Sequence, residues 1–309
     1  MKTLSIVILT FNRAKELLMT LKAVTAQKLD VPPQIIVVDN GSTDETSKVL
    51  SAFPGIEVIS LRRNEGAVAR NHGLLRARGD FIVCLDDDVR PLGIEDFGMI
   101  VPFMESHPEI GAITFKVLTP MGVPELYSWC HPRDPSKDAD KVFFSPYLSE
   151  GACALRREAI ENVGGYWQDL FIAHEGEDLA FRLMDAGYEL VYFPPVQVIH
   201  THARAGRPSW RTFYYNHRNN LWVIWKNLPW MHALSASLYA SAFMLFFSLR
   251  GRKIKAYLKA CVDGLLGFRR VWEVRKPIEK ETLARIRVYQ SLKPNLLNRF
   301  RRHLTYRVF

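Results

Sequence analysis

Five apolar residues, Phe81, Ile82, Val83, Cys84 and Leu85, run without a break into three aspartates, Asp86, Asp87 and Asp88. So short an apolar run, bounded by Gly79-Asp80 and Pro91, reads as a strand buried on both faces. Like charges crowded at its end repel one another, and removing them from water adds to the penalty unless a positive group arrives. In an extended backbone Asp86 and Asp88 project to one side and Asp87 to the other. A hard divalent cation, Mg²⁺ or Mn²⁺ carrying phosphates, is the natural counter-charge for such oxygen ligands. Taken alone, the triplet is also what an acidic turn at a strand end looks like.

The chain upstream repeats the same arrangement. Leu4 to Leu9 is a second unbroken apolar run, closed by Thr10, Phe11, Asn12 and Arg13; Leu17, Leu18, Leu21 and Val24 then recur at helical spacing. Gln34 to Val38 is a further strand ending at Asp39, with Ser42 or Thr43 as the cap of a helix reaching Leu50. Glu57 to Leu61 is another strand, and Asn64-Glu65-Gly66 turns into a helix through Arg70 to Ala77. Strand and helix alternating at this spacing predict an open, mostly parallel α/β sheet flanked by helices. In such sheets ligands bind outside the carboxyl ends of the strands, so Thr10, Asn12, Arg13, Asp39 and Asp86 to Asp88 are expected on one rim.

Beyond Pro91 the pattern loosens. Ile110 to Val117 and Ala152 to Leu155 read as strands around an irregular, Pro-containing segment from Leu118 to Tyr147. A loop that long inside a compact domain is usually functional or mobile. The acidic run Glu175 to Asp178 leads into a helix expected over Leu179 to Ala186, and Tyr188 to Phe193 and Val196 to Ile199 are two more apolar runs. The second of these ends in His200-Thr201-His202.

At 309 residues, 48% of them hydrophobic, the chain is expected to hold one large domain with an appendage: a catalytic domain over 1–207 and a basic, aromatic-rich helical region over 208–309. The formal charge is +9, yet from Arg250 onward cations exceed anions by 17 to 4, leaving the remainder slightly acidic. A basic tail on a near-neutral body points to an anionic surface as partner and away from nucleic acid. The four cysteines are scattered, which argues against a disulfide scaffold or a structural zinc site. The opening Met1 to Leu9 superficially resembles a secretion signal but has no small-residue cleavage site, and is read as the first strand.

Trp210, Phe213, Tyr214, Tyr215, Trp222, Trp225 and Trp230 crowd one span, interleaved with basic residues. Leu228 to Leu249 is nearly uncharged and just long enough to cross a bilayer. Lys253 to Arg269 alternates apolar residues with lysines, the pattern of a helix lying in an interface. Three readings stay open for this region: an interfacial helical hairpin, a true span, or an ordinary core or oligomer contact.

The motifs in order (Thr10-Phe11-Asn12-Arg13, Val38-Asp39-Asn40-Gly41-Ser42-Thr43-Asp44, Asn64-Glu65-Gly66 with Ala69-Arg70-Asn71, Leu85 to Asp88, and Gly176-Glu177-Asp178) give the chain from Thr3 to about Arg207 a resemblance to the family-2 glycosyltransferases. The resemblance implies the Rossmann-like GT-A fold and an inverting transfer of a sugar from a nucleotide donor to a hydroxyl. It implies that Asp39 accepts from a uracil or thymine ring N–H, so that the donor is a UDP- or dTDP-sugar. Thr10, Asn12, Arg13, Asn64 and Arg70 then lie around the nucleotide, with Asp86 and Asp87 beside its ribose and the metal shell. Asp88 touches a Mg²⁺ or Mn²⁺ ion, and Asp86 helps to hold it. His200 completes the metal shell, with His202 as its rival. Asp178 is the implied general base and Glu177 its neighbour; His174 lines the loop. The acceptor expected from the resemblance is a glycan or a lipid-linked sugar, at the cytoplasmic face of the membrane. The segment Leu118 to Tyr147 matches no recurring motif of that family. Two rival readings are a non-catalytic, membrane-bound sugar-recognition protein on the same fold and a nucleotidyltransferase, the latter disfavoured by the absence of a Gly-rich phosphate loop after the first strand.

Overall fold

The computed structural model describes residues 1–126, 129–202 and 209–292. Nine strands lie in the described residues: β1 (Leu4–Thr10), β2 (Gln34–Asp39), β3 (Glu57–Ser60), β4 (Phe81–Asp86), β5 (Val89–Pro91), β6 (Ile110–Leu118), β7 (Phe143–Phe144), β8 (Ala152–Arg156) and β9 (Glu189–His200). They form one sheet in the order β3-β2-β1-β4-β8-β6-β9-β5, with β7 paired to β9. β1 to β4 pair in parallel, whereas β8 runs antiparallel to both β4 and β6. The sheet is therefore mixed, with its parallel half carrying the four runs that the periodicity picks out.

The runs of β1 and β4 are unbroken because the middle of the sheet is buried on both sides, whereas the edge strand β3 alternates between half-buried and exposed residues. Along β1, Val7 faces one core with Val38, Ile82 and Cys84, while Ile6 and Ile8 face the other with Val37, Val83 and Leu85. Helices α1 (Ala14–Thr25), α2 (Thr46–Ser51), α3 (Arg70–Arg76), α4 (Ile100–Ser106), α5 (Pro135–Asp138), α6 (Arg157–Val163) and α7 (Glu175–Asp185) connect or cover the strands. On α1, Leu17, Leu21 and Val24 form the buried stripe. On α3, Gly73 lets the helix lie against β1, since a Cβ there would stand 2.3 Å from Val7 Cγ1. The N-cap of α2 is Glu45, not the expected Ser42 or Thr43, and makes no side-chain cap bond; the preceding Asp44 carboxylate accepts from Thr46 N at 3.0 Å. The two apolar runs at Tyr188 to Phe193 and Val196 to Ile199 fall along one strand, β9 (Glu189–His200), not two. Its register with β6 jumps from Phe193 to Gln197, which passes the adjacent Pro194 and Pro195, residues without an N–H to donate.

The register sets the rim. Thr10 pairs with Asp39 and Leu9 with Asp86, so β1, β2 and β4 end level with one another.

Five further helices follow: α8 (Ser209–Asn227), α9 (Trp230–Arg250), α10 (Ile254–Leu266), α11 (Phe268–Glu273) and α12 (Lys280–Gln290). The expected boundary at 207/208 and the last cations of the tail, from Lys293 onward, lie outside the described residues. Trp222 and Val223 of α8, Val271 of α11, Ile278 just before α12 and Ile286 within it are buried in the same core cluster as Leu179 and Leu183 of α7. These helices thus share a hydrophobic core with the sheet domain. By contrast, α9 is the one described helix long and apolar enough to cross a membrane, and only 28% of its most apolar stretch is buried.

Candidate active site

Each member of the acidic triplet has its own partners. The Asp87 carboxylate is buried and accepts from Thr10 Oγ1 at 2.9 Å, from Phe11 N at 3.3 Å and from Arg13 Nη1 at 2.9 Å. The same Arg13 nitrogen donates to Asp88 Oδ2 at 2.8 Å, so one guanidinium bridges two adjacent carboxylates. Asp86, whose side chain is 38% exposed, forms an ion pair with the buried Arg70. Arg13 and Arg70 are both brought to the triplet, and they supply two of the positive charges that its position at a strand end demands.

The β2 end is organised by backbone turns. Asp39 Oδ1 accepts from Ser42 N at 2.9 Å. Asn12, in a left-handed backbone conformation (φ +52°), accepts from Thr43 N at 2.7 Å and ties the loop after β1 to the loop after β2. Asn64 accepts from Asn40 Nδ2 at 3.1 Å and from Gly66 N at 2.8 Å, which shapes the turn into α3. At Gly66 (φ +81°) a Cβ would stand 2.0 Å from the Phe171 carbonyl oxygen, so only glycine allows that close approach.

His200 ends β9 between two carboxylates. Its Nδ1 is 2.9 Å from Glu125 Oε2 and its Nε2 is 3.5 Å from Asp88 Oδ1. Desolvation opposes the charged imidazole, but Asp88 and Glu125 outweigh it and hold the His200 pKa up to about 10. His202 Nε2 meets the other oxygen of Glu125. Donor atoms of Glu125, His200 and His202 all lie within 4.8 Å of one another. The His200 imidazole beside the Asp88 carboxylate supplies ligand types that suit a divalent cation, so the residues present fit the metal that the sequence suggested.

The first turn of α7 holds the remaining acids. Its approach is strained: Phe171, Ala173 and His174 all have positive φ. The helix begins at Glu175, earlier than the expected Leu179, so the whole acidic run lies inside it. Asp178 is placed differently from its expected exposure to an acceptor. Its side chain is 0% exposed, and it accepts from Lys226 Nζ at 2.5 Å, from Asn227 Nδ2 at 2.8 Å and from Arg182 Nε at 3.0 Å. Burial alone would raise its pKa; Arg182 and Lys226 together bring it below the ordinary carboxylate value. Glu177 is partly exposed and pairs with His174 Nδ1 at 2.7 Å.

Glu175 and Glu150 were not singled out from the sequence. Glu150 Oε1 accepts from Gly176 N at 2.5 Å, and the neighbouring Gly151 accepts from Asp86 N at 3.2 Å. A Cβ on Gly151 would stand 2.5 Å from Asp86 Oδ2. The start of α7 is thereby linked through Glu150-Gly151 to the end of β4. Glu175 is buried, and its Oε2 has no hydrogen-bond partner among the described residues. Burial first, and then the Glu150 charge, push its pKa up to about 8, while Glu150 is itself raised by burial. The spacing of Asp178 and Arg182, four apart on a helix, was the one sequence signal that Asp178 has an intramolecular partner.

A mixed sheet of this order with acids gathered at the ends of its parallel strands defines a Rossmann-like transferase fold. Residues 5–164 match the family model described as glycosyl transferase family 2, and the chain belongs to that family. It is 32% identical over 212 residues to the uncharacterized glycosyltransferase YwdF of Bacillus subtilis, covering 66% of this chain and 75% of YwdF. It is 28% identical over 190 residues to the pre-mycofactocin glycosyltransferase of Mycobacterium tuberculosis, which amounts to 55% of this chain but only 37% of that protein's length. Among solved structures, S. aureus TarS 1-349 in complex with UDP-GlcNAc superposes with a TM-score of 0.59 at 18% identity, over 88% of this chain and 83% of that one. The mannosyltransferase PcManGT from Pyrobaculum calidifontis, in complex with GDP-Man and Mn²⁺, gives 0.55 at 17% identity, over 94% and 84%. The fold is thus that of GT-A glycosyltransferases.

Proposed function

We propose that the protein transfers a sugar from a UDP- or dTDP-sugar to a hydroxyl of a glycan or lipid-linked acceptor, with inversion, at the cytoplasmic face of the membrane. The observation that carries this is the level ending of β1, β2 and β4, which sets Thr10, Asp39 and Asp86 side by side at the rim where ligands of open α/β sheets bind. In this reading Asp39 accepts from the pyrimidine ring, and Asn12 and Asn64 hold the loops that shape the nucleotide cleft. Asp86, Asp88 and His200 hold Mg²⁺ or Mn²⁺, which supplies Lewis-acid stabilisation of the departing diphosphate. Arg13 and Arg70 keep the carboxylates oriented when the metal is absent. The solved relatives carry either a uridine or a guanosine donor, so the pyrimidine assignment rests on Asp39.

The general base is assigned here to Glu175 and not to Asp178. A base must reach the acceptor proton and be free to take it. Both acids are buried, but Asp178 is held by three donors, whereas Glu175 Oε2 has no partner among the described residues and lies at the end of α7 that is linked to Asp86. Glu175 removes the acceptor proton as the oxygen attacks the anomeric carbon opposite the diphosphate, which yields inversion. Glu177, paired with His174, lies on the solvent side of the same turn.

The membrane part of the proposal rests on α9 to α11. Trp230, Leu238, Leu265, Leu266 and Trp272 are each more than 60% exposed, and the exposed cations Arg250, Arg252, Lys255, Arg269 and Arg270 lie in the same helices and the turns between them. Apolar side chains rimmed by cations complement an anionic bilayer surface.

The test is a donor screen with Mg²⁺ or Mn²⁺ that follows release of nucleoside diphosphate. Turnover with UDP- or dTDP-sugars is expected. Turnover with a GDP-sugar alone overturns the Asp39 assignment, and none with any donor, even with membrane extract present, favours a non-catalytic sugar-recognition protein.

A further inference from the structure

Glu125 comes from the one segment that matches no recurring sequence motif, yet it is among the better-buried acids of the protein, at 5% exposure. A glutamate is rarely enclosed to this degree unless it is paired. Its two oxygens face two imidazoles: Oε2 meets His200 Nδ1 at 2.9 Å and Oε1 meets His202 Nε2. His202 holds a left-handed backbone (φ +42°), a conformation uncommon outside glycine that persists only where the surroundings impose it. Between the two histidines, Thr201 is fixed by two bonds to the Asp88 carbonyl oxygen, from N at 3.0 Å and from Oγ1 at 3.1 Å.

The opposite side of the His200 ring is different in kind. Nε2 and Asp88 Oδ1 are 3.5 Å apart, too far for a good hydrogen bond. Neighbouring ligands around one cation at about 2.1 Å are separated by roughly 3.0–3.4 Å, so this gap suits two ligands of a shared ion. We propose that Glu125 is a positioning residue for the metal site: its carboxylate accepts the Nδ1–H of His200, so that Nε2, turned toward Asp88, is the nitrogen that gives up its proton to a cation, and Glu125 is itself braced by His202. Glu125 would then act as an outer acid that orients a metal-bound imidazole and makes it more basic. The irregular segment after β6 thereby governs how tightly the ion is held. The inference rests on the proposed metal role of Asp88 and His200.

The experiment titrates Mn²⁺ into the full chain with UDP present and reads free Mn²⁺ by electron paramagnetic resonance. Glu125→Gln is expected to weaken Mn²⁺ binding about 10- to 100-fold, with UDP affinity in the absence of metal unchanged. If that variant does not fold, Glu125→Asp keeps the buried charge but withdraws it from Nδ1, and a similar weakening is expected. His200→Asn removes the ligand and is expected to lower Mn²⁺ affinity at least as far. Wild-type affinity in a folded Glu125 variant, while His200→Asn still loses Mn²⁺, overturns the positioning role alone. Failure of the unaltered protein to take up Mn²⁺ overturns the metal reading itself, and the inference with it.

Discussion

Asp178 Oδ1 accepts from Lys226 Nζ at 2.5 Å across 48 positions of sequence, joining the first turn of α7 to the last turn of α8. Arg182 approaches the other oxygen at 2.9 Å. Removing one partner of a buried pair is costly because the remaining charge is stranded in a poor solvent. Asp178→Ala is therefore expected to lose about 3–5 kcal/mol of stability in denaturant unfolding. Adding Lys226→Met to it should restore part of that loss.

The same carboxylate sets a pH dependence. Its pKa in the folded protein lies below the ordinary value of 3.8. The native state therefore binds fewer protons than the unfolded chain as pH falls, and the contribution, fully present above pH 3.8, disappears as pH drops through the folded value. The wild-type protein should lose stability in that acid window more steeply than Asp178→Asn, measured by chemical denaturation as a function of pH.

Glu175 has the opposite sign. Its folded pKa, about 8, lies above its ordinary 4.5, so the native state holds the extra proton between those values and stability falls as pH rises through them. Glu175→Gln should therefore melt at a higher temperature than wild type at pH 8 and close to it at pH 4.5. As the proposed base it must be deprotonated to act, so turnover should climb with pH toward about 8 and the glutamine variant should lose about 10²–10⁴-fold in kcat. A Glu175→Gln protein with normal turnover returns the base to Glu177 or Asp178.

Asp39 is assigned to ground-state recognition of the donor ring. Asp39→Asn should then raise the KM for the donor with little change in kcat, the pattern of lost uniform binding. Steady-state kinetics with a UDP-sugar measures it; an equal fall in kcat and kcat/KM would place Asp39 in the chemical step instead.

Leu265 and Leu266, 76% and 79% exposed at the end of α10, are expected to enter the headgroup region of an anionic bilayer. Changing both to glutamate should abolish sedimentation with phosphatidylserine vesicles and leave turnover on a soluble acceptor unchanged. Raising the salt should weaken wild-type sedimentation, and its survival on purely neutral vesicles at high salt would show that the apolar face alone suffices.

The parallel half of the sheet was legible because its inner strands are buried on both faces and so leave continuous apolar runs, as at Leu4–Thr10 and Phe81–Asp86. The start of α7 was harder to read, since Glu175 to Asp178 looks the same whether it precedes a helix or forms its first turn. What became of the charges was least legible. Lys226 reaches Asp178, and Glu125 reaches His200 from 75 positions away, through tertiary contacts that no local period records. Only the four-residue spacing of Asp178 and Arg182 hinted that this acid was already engaged.

Helix α8 is pinned at both ends of the same short stretch. Asn219 donates to the carbonyl oxygens of Leu170, Ile172 and Ala173, just before α7, and Lys226 and Asn227 clasp Asp178 within it. α9 follows α8 after two residues, so α9 is joined to α7 through this double clamp. The tie between α9 and the helix that bears Glu175 therefore runs through a single element, and whatever displaces α8 is felt at the start of α7.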